Sequence, residues 1–239
     1  VCIQINMRAI LFRLVIFWCM GAASAIAQSI PGANPVMTVI TDEGEQEETS
    51  YEGSAPVEIR FEARPENLGS YTAYYEWRFY TQGNESSPYI IRYDENTAYT
   101  FMTSGQTFID LLITFVDGKD TINYEMDEPF VVSVSESKLE MPNAFSPNGD
   151  GINDVYKAKD GWQSIVSFKA AIFTRWGKKL YEWNDPDGGW DGKVNGHVVP
   201  DGAYYCVVQA KGADGKNYSI KKTVSVLTTY DEQSTGTEE

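Results

Sequence analysis

Apolar and polar side chains alternate with a period of two along much of the chain, the spacing that turns one face of a β-strand inward and the other outward. In "APVEIRFEAR", Val57, Ile59, Phe61 and Ala63 fall on one side and Glu58, Arg60, Glu62 and Arg64 on the other. "YTAYYEWRFY" repeats the pattern, with Tyr71, Ala73, Tyr75, Trp77 and Phe79 opposed to Thr72, Tyr74, Glu76, Arg78 and Tyr80. In "FIDLLITFVDGKDTINYE", Ile109, Leu111, Ile113 and Phe115 alternate and then meet Asp117 and Gly118, which predicts a hairpin. "FVVSVS" at 130–135 supplies a further strand. No stretch holds a helical period, and this spacing of strands and turns predicts a sandwich of immunoglobulin-like size over residues 51–137.

A second strand series follows the bridge "ESKLE" and a loop dense in turn formers, "MPNAFSPNGDGINDVY" at 141–156. Val166, Phe168, Ala170 and Ile172 alternate, "RWGKK" reverses the chain into "LYEW", and "DPDGGWDGKVNG" is rich in turn signals. "AYYCVVQA", the tip "KGADGK" and a last strand lined by Tyr218, Ile220, Val224 and Val226 complete the set. The expected fold is all-β: two immunoglobulin-like β-sandwich domains in tandem after a cleaved signal peptide, the second domain over 138–228.

The ends read differently. Met7, Arg8 and Arg13 precede an apolar run from Leu14 to Ala23 that is short for a membrane span, and Ala25-Ile26-Ala27 follows as a cleavage pattern. Residues 1–27 are therefore expected to be a signal peptide, with Met7 as the start. Residues 28–50, including "TDEGEQEETS", read as a polar acidic linker, and 229–239 as an acidic disordered tail. Cleavage removes Cys2 and Cys19, so the single Cys206 left excludes an internal disulfide and is expected to fill a core as a small apolar group. It also leaves seventeen Lys and Arg against 34 Asp and Glu. So acidic a surface repels phosphate backbones and disfavours nucleic acid, while permitting divalent cations. No later stretch is long and apolar enough to anchor the mature chain.

"PNAFSPNGDGINDVY", "IFTRWGKKLYEW", "GGWDGKVNGHVVPDGAYYCVV" and "KKTVSVL", taken in order, resemble the gliding motility-associated C-terminal domain, the type B sorting domain of type IX secretion, over residues 139 to about 228. The resemblance implies a compact immunoglobulin-like sandwich that directs its passenger across the outer membrane of a Gram-negative bacterium. It implies a passage through the periplasm and a final place outside the cell or on its surface. The partners it implies are the type IX translocon and its outer-membrane accessory proteins. The positions carrying it are Pro142, Asn143, Phe145, Pro147, Asn148, Gly149, Asp150, Gly151, Asn153 and Asp154; Arg175, Trp176 and Gly177; Trp190, Asp191 and Gly192; and Asp201, Gly202 and Tyr204. The acidic tail departs from the family, whose members commonly stop just after the last strand. The first domain more loosely resembles the PKD family through "APVEIRFEA", "YYEWRF" and "AYTFMTSGQTFIDLLIT", departing from it at Tyr80, Thr81 and Gln82.

Other chemistry is thinner. Asn148, Asp150, Asn153 and Asp154 offer oxygens at spacings close to those of a calcium loop, but Ser146 and Lys157 stand where the first and last carboxylates belong. The competing reading has glycines supplying positive φ and the side chains bonding nearby amides. Tyr74, Arg78 and Tyr80 are a candidate binding face for a surface glycan or protein, against the simpler view that tyrosine favours strands. His197 lies in a Gly-rich hairpin, Asp185 and Asp187 in a turn-rich loop, and no nucleophile, zinc or dinucleotide motif occurs, so no catalysis or catalytic residue is expected. The reading is an exported cargo with an adhesion or binding module in front. The alternatives are a structural subunit of a surface or gliding apparatus, and a glycan-binding or carbohydrate-active protein.

Overall fold

The structure, a computed structural model, describes residues 30–118 and 120–229. The expected signal peptide and the tail from Tyr230 lie outside the described residues. Among the described residues every regular element is a strand. The first are β1 (Gly32–Ala33), β2 (Val36–Thr41), β3 (Gly44–Glu48), β4 (Ser50–Gly53), β5 (Val57–Glu62) and β6 (Pro65–Glu66). There follow β7 (Thr72–Tyr80), β8 (Ile90–Arg92), β9 (Asn96–Phe101), β10 (Gly105–Asp117), β11 (Asp120–Glu125) and β12 (Phe130–Val134).

Ten of these make two facing sheets, one ordered β3-β2-β5-β9 and the other β4-β12-β10-β7-β8 with β11 beside β10, while β1 and β6 pair separately. The expected alternation closes the core between them: Ile59, Phe61, Trp77, Phe79, Ile109, Leu111 and Phe115 are wholly buried. Phe61 packs edge-on to Phe79 at 5.5 Å and tilted against Trp77 at 5.8 Å, contacts worth about 0.5–1.5 kcal/mol beyond area burial. The Trp77 indole donates to the Glu95 carbonyl, so its polar atom stays satisfied as the ring is buried.

The described part of the expected 28–50 linker, residues 30–50, forms strands instead. Met37 and Val39 of β2 lie in the core, and Met37 pairs with Phe61 of β5. β3 is exposed along its whole length, which removes any apolar period from its sequence, and backbone pairing to β2 holds it. Ion pairs from Arg60 to Glu45 and from Arg64 to Glu47 support it at the surface. β4 adds to β12 in parallel, Tyr51 opposite Val132.

The C-terminal half contains β13 (Ala144–Phe145), β14 (Ile165–Phe173), β15 (Lys179–Trp183), β16 (Lys193–Val194), β17 (His197–Val198), β18 (Gly202–Gly212) and β19 (Asn217–Val226). Five form one sheet, β13-β19-β18-β14-β15, and β16–β17 is a separate hairpin. Phe168, Ala170, Ile172, Cys206, Val208, Val224 and Val226 turn one face of the sheet into a second core. The opposing layer is mostly irregular chain, which contributes Leu139, Met141, Tyr156, Ala158, Trp190 and Val199. Cys206 fills this core, and burial pushes its thiol up to about 11. Val166 departs from the expected face. A bulge between Ile165 and Ser167 shifts the register, and Val166 packs against the first core instead.

The described residues from Pro31 onward form one compact unit, and the joint between its two cores is hydrogen-bonded. Ser164 is fully buried there with φ 48°. Its hydroxyl accepts from the Ala55 amide and bonds Ser135 Oγ, while its carbonyl accepts from the Ala213 amide. The Ala213 carbonyl in turn accepts from Ser104.

Candidate functional site

The glycine-rich loop between β13 and Tyr156 is built on its own amides. Asn148 Oδ1 accepts from the Asp150 amide at 3.0 Å, and its Nδ2 donates to Asp150 Oδ2 at 2.9 Å. Asp150 Oδ1 accepts from Ile152 N at 2.8 Å. The two carboxylate oxygens of Asp154 accept from Gly149 N at 2.7 Å and Gly151 N at 2.8 Å. This geometry needs left-handed backbone, at φ 83° for Gly149, 88° for Gly151 and 52° for Asn153. The amides of Gly149 and then Gly151 hold the Asp154 carboxyl below the usual carboxylate range. Among the described residues no three His, Cys, Asp or Glu side chains are grouped to hold a metal ion.

A pH prediction follows. A carboxylate whose folded pKa lies below its unfolded value of about 3.9 stabilises fully above that value, and its contribution is lost as pH falls through the folded pKa. The Gly149 and Gly151 amides should keep their hydrogen-exchange protection above pH 4 and lose it in stronger acid. In Asp154→Asn that step should be absent, which NMR-detected exchange would read directly.

The second cluster packs beneath the loop. Phe145 lies 5.7 Å from Tyr156 and 5.4 Å from Trp190, and Tyr204 lies 5.6 Å from Trp190. Tyr156 and Trp190 exchange both backbone hydrogen bonds, at 2.9 and 3.0 Å. The Trp190 indole donates to the Lys193 carbonyl, and Asp191 Oδ1 accepts from the Lys193 amide. The Tyr156 hydroxyl donates to the Pro142 carbonyl, and the Asn143 carbonyl accepts from Ser225. Asp201 closes the strand ends, accepting from the Thr228 amide and hydroxyl one residue before Gly202 opens β18. The motif positions at 142–154, 190–192 and 201–204 therefore assemble in one place. Tyr156, which sequence reasoning did not single out, ties them together. Its signal was an aromatic closing the glycine loop.

Arg175, Trp176 and Gly177 stand apart from that cluster at the β14–β15 turn, where Trp176 is 79% exposed. The proposed face of the first half is only partly present. Tyr74 is 61% exposed and Arg78 is half-buried against Glu76 at 2.6 Å. Tyr80 is a correction: it is 5% exposed, stacks on Phe108 at 5.7 Å and donates to Asp110. The period placed it outward correctly, but Phe108 on the next strand covers it. His197 is exposed in β17, and Asp187 accepts from the Trp162 indole while Asp185 caps the Asp187 amide. Among the described residues no helix is long and apolar enough to cross a membrane, which leaves membrane β-barrels unaddressed.

Residues 139–226 match the CHU_C type IX secretion signal domain. This segment is similar to that family, and the match supports a chain that is cargo of the type IX secretion system, exported for secretion or display at the cell surface. Among solved structures, dimeric latent PorU from Porphyromonas gingivalis aligns at 10% identity and TM-score 0.27, over 85% of this chain and 21% of its own. The chain thus spans about a fifth of the length of that protein. BcpA, the major pilin subunit of Bacillus cereus, aligns at 11% identity and TM-score 0.26, over 83% and 69%. The neural ectodermal development factor IMP-L2 aligns at 10% and 0.20, over 84% and 98%. Alignments this loose transfer neither fold nor function. No curated protein matches the chain.

Proposed function

We propose that the C-terminal lobe is a folded sorting signal, engaging the outer-membrane translocon and its accessory proteins, and that the first lobe is its passenger, a PKD-like or immunoglobulin-like module for adhesion or ligand capture. The observation that carries the reading is the family match, whose glycine loop and tryptophan turn close one core around Tyr156 and Trp190. The family match and the all-β fold point to a non-catalytic cargo, so recognition is the mechanism. In this reading the loop at 146–154 closes on its own amides without calcium. A cleft of about 400 Å³ lined by Tyr89, Tyr99, Phe101 and Gln106 supports ligand capture by the first lobe.

The test is a fusion of residues 139–239 to a neutral reporter behind the signal peptide. The reporter should reach the medium or cell surface in cells with a working type IX system and stay in the periplasm when the system is deleted. Periplasmic retention in both strains would overturn the proposal.

A further inference from the structure

Charge is divided unevenly along the chain. Residues 28–138 carry six Lys and Arg against twenty Asp and Glu, whereas residues 139–228 carry eleven against ten. Within the C-terminal lobe, cations and one tryptophan gather at the β14–β15 turn. Arg175, Trp176, Lys178 and Lys179 are all exposed, and the Arg175 guanidinium lies 4.2 Å from the indole centroid. Lys179 pairs with Glu182, but among the described residues neither Arg175 nor Lys178 has a carboxylate in ion-pair range.

The turn is rigidly built. The Thr174 amide donates to the Lys178 carbonyl and the Thr174 carbonyl accepts from the Gly177 amide, each at 2.9 Å, and the Thr174 hydroxyl accepts from the amides of Trp176 and Lys178. Beside the turn, Phe173 pairs with Tyr205, which is 45% exposed, and the next outward pair on the neighbouring strands is Val207 with Lys221. The joint with the first lobe lies at the other end of the sheet, at Ser164 and Ala213. The nine residues of β14, at about 3.3 Å each, separate the two by about 30 Å.

An indole held open to water on a rigid turn does little for the fold that carries it. It presents apolar area that leaves water only when a partner covers it, and Trp and Arg are the side chains most enriched at binding hot spots. The acidic lobe at the far end adds a direction. A negatively charged partner attracts the turn and repels the first lobe, so each encounter presents the cargo signal end first.

We infer that the β14–β15 turn, with Tyr205 and Lys221 beside it, is the surface by which the signal docks, and that its receptor is an acidic protein groove of the secretion machinery that takes the Trp176 ring. The inference rests on the sorting role proposed above. An anionic lipid surface would satisfy the cations, but it offers no pocket shaped for a single fixed indole.

The test uses the full chain, with Trp176→Ala and the double variant Arg175→Glu/Lys178→Glu. Both should melt within about 2 °C of the parent, because the replaced side chains are exposed. Each should lower the amount delivered outside type IX-competent cells by about tenfold or more and leave the remainder in the periplasm. Delivery of both folded variants at the parental level overturns the docking surface and leaves the sorting role standing. Failure of the parent itself to leave competent cells overturns both. Parental chain that binds protein-free anionic phospholipid vesicles as tightly as outer membranes holding the system overturns the protein groove.

Discussion

Trp190→Ala should cost the C-terminal core about 3–5 kcal/mol, a large share of the roughly 5–15 kcal/mol that holds a domain of ordinary stability. The ring is fully buried, with the Phe145 and Tyr204 rings at 5.4 and 5.6 Å. Little can collapse into the space, because both neighbours are fixed from elsewhere: Phe145 by β13 pairing to β19, and Tyr204 by its hydroxyl bond to the Pro200 carbonyl. Urea unfolding of the full chain followed by NMR should show resonances of β14, β18 and β19 lost at lower denaturant than those of β5, β7 and β10. A uniform shift would mean that the two cores melt as one, and no shift would mean that the indole is dispensable.

The second large effect is expected at Gly192→Ala. Its φ of 74° disfavours any L side chain, and an added Cβ would lie 2.7 Å from Pro147 Cγ and 2.9 Å from Pro147 Cβ. Strain and overpacking together should cost about 2–4 kcal/mol. Gly149→Ala is the control. Its φ is 83°, yet a Cβ there meets nothing within 4 Å, so only the backbone cost of about 1 kcal/mol should appear. Equal melting temperatures for the two variants would show that the contact between the tryptophan turn and the glycine loop does not matter to the fold.

The comparison of glycines also shows what the sequence could and could not reveal. Positive φ at Gly149 and Gly151 was legible, because clusters of Gly, Asn and Asp carry a backbone meaning wherever they occur. The pressing of Pro147 onto Gly192 was not, since it joins segments 45 residues apart and leaves no local period. Likewise β5, β7 and β10 were legible because one face of each is dry, whereas β3 was hidden because neither of its faces is. Tyr80 illustrates the middle case. Alternation gave its side of the sheet, but whether that side stays open depends on Phe108, a neighbour that only strand pairing identifies. The bulge before Ser167 defeats periodicity by definition, which is why Val166 was assigned to the wrong core.

The position of β19 in its sheet carries a consequence of another kind. The strand lies between β13 and β18, and its last buried residues, Val224 and Val226, are fully enclosed. Its partner β13 lies some eighty residues earlier in the chain, so the sheet cannot close until residue 226 has been synthesised. A prematurely terminated copy therefore lacks the strand that joins β13 to β18, and this core stays open until the last strand has been made.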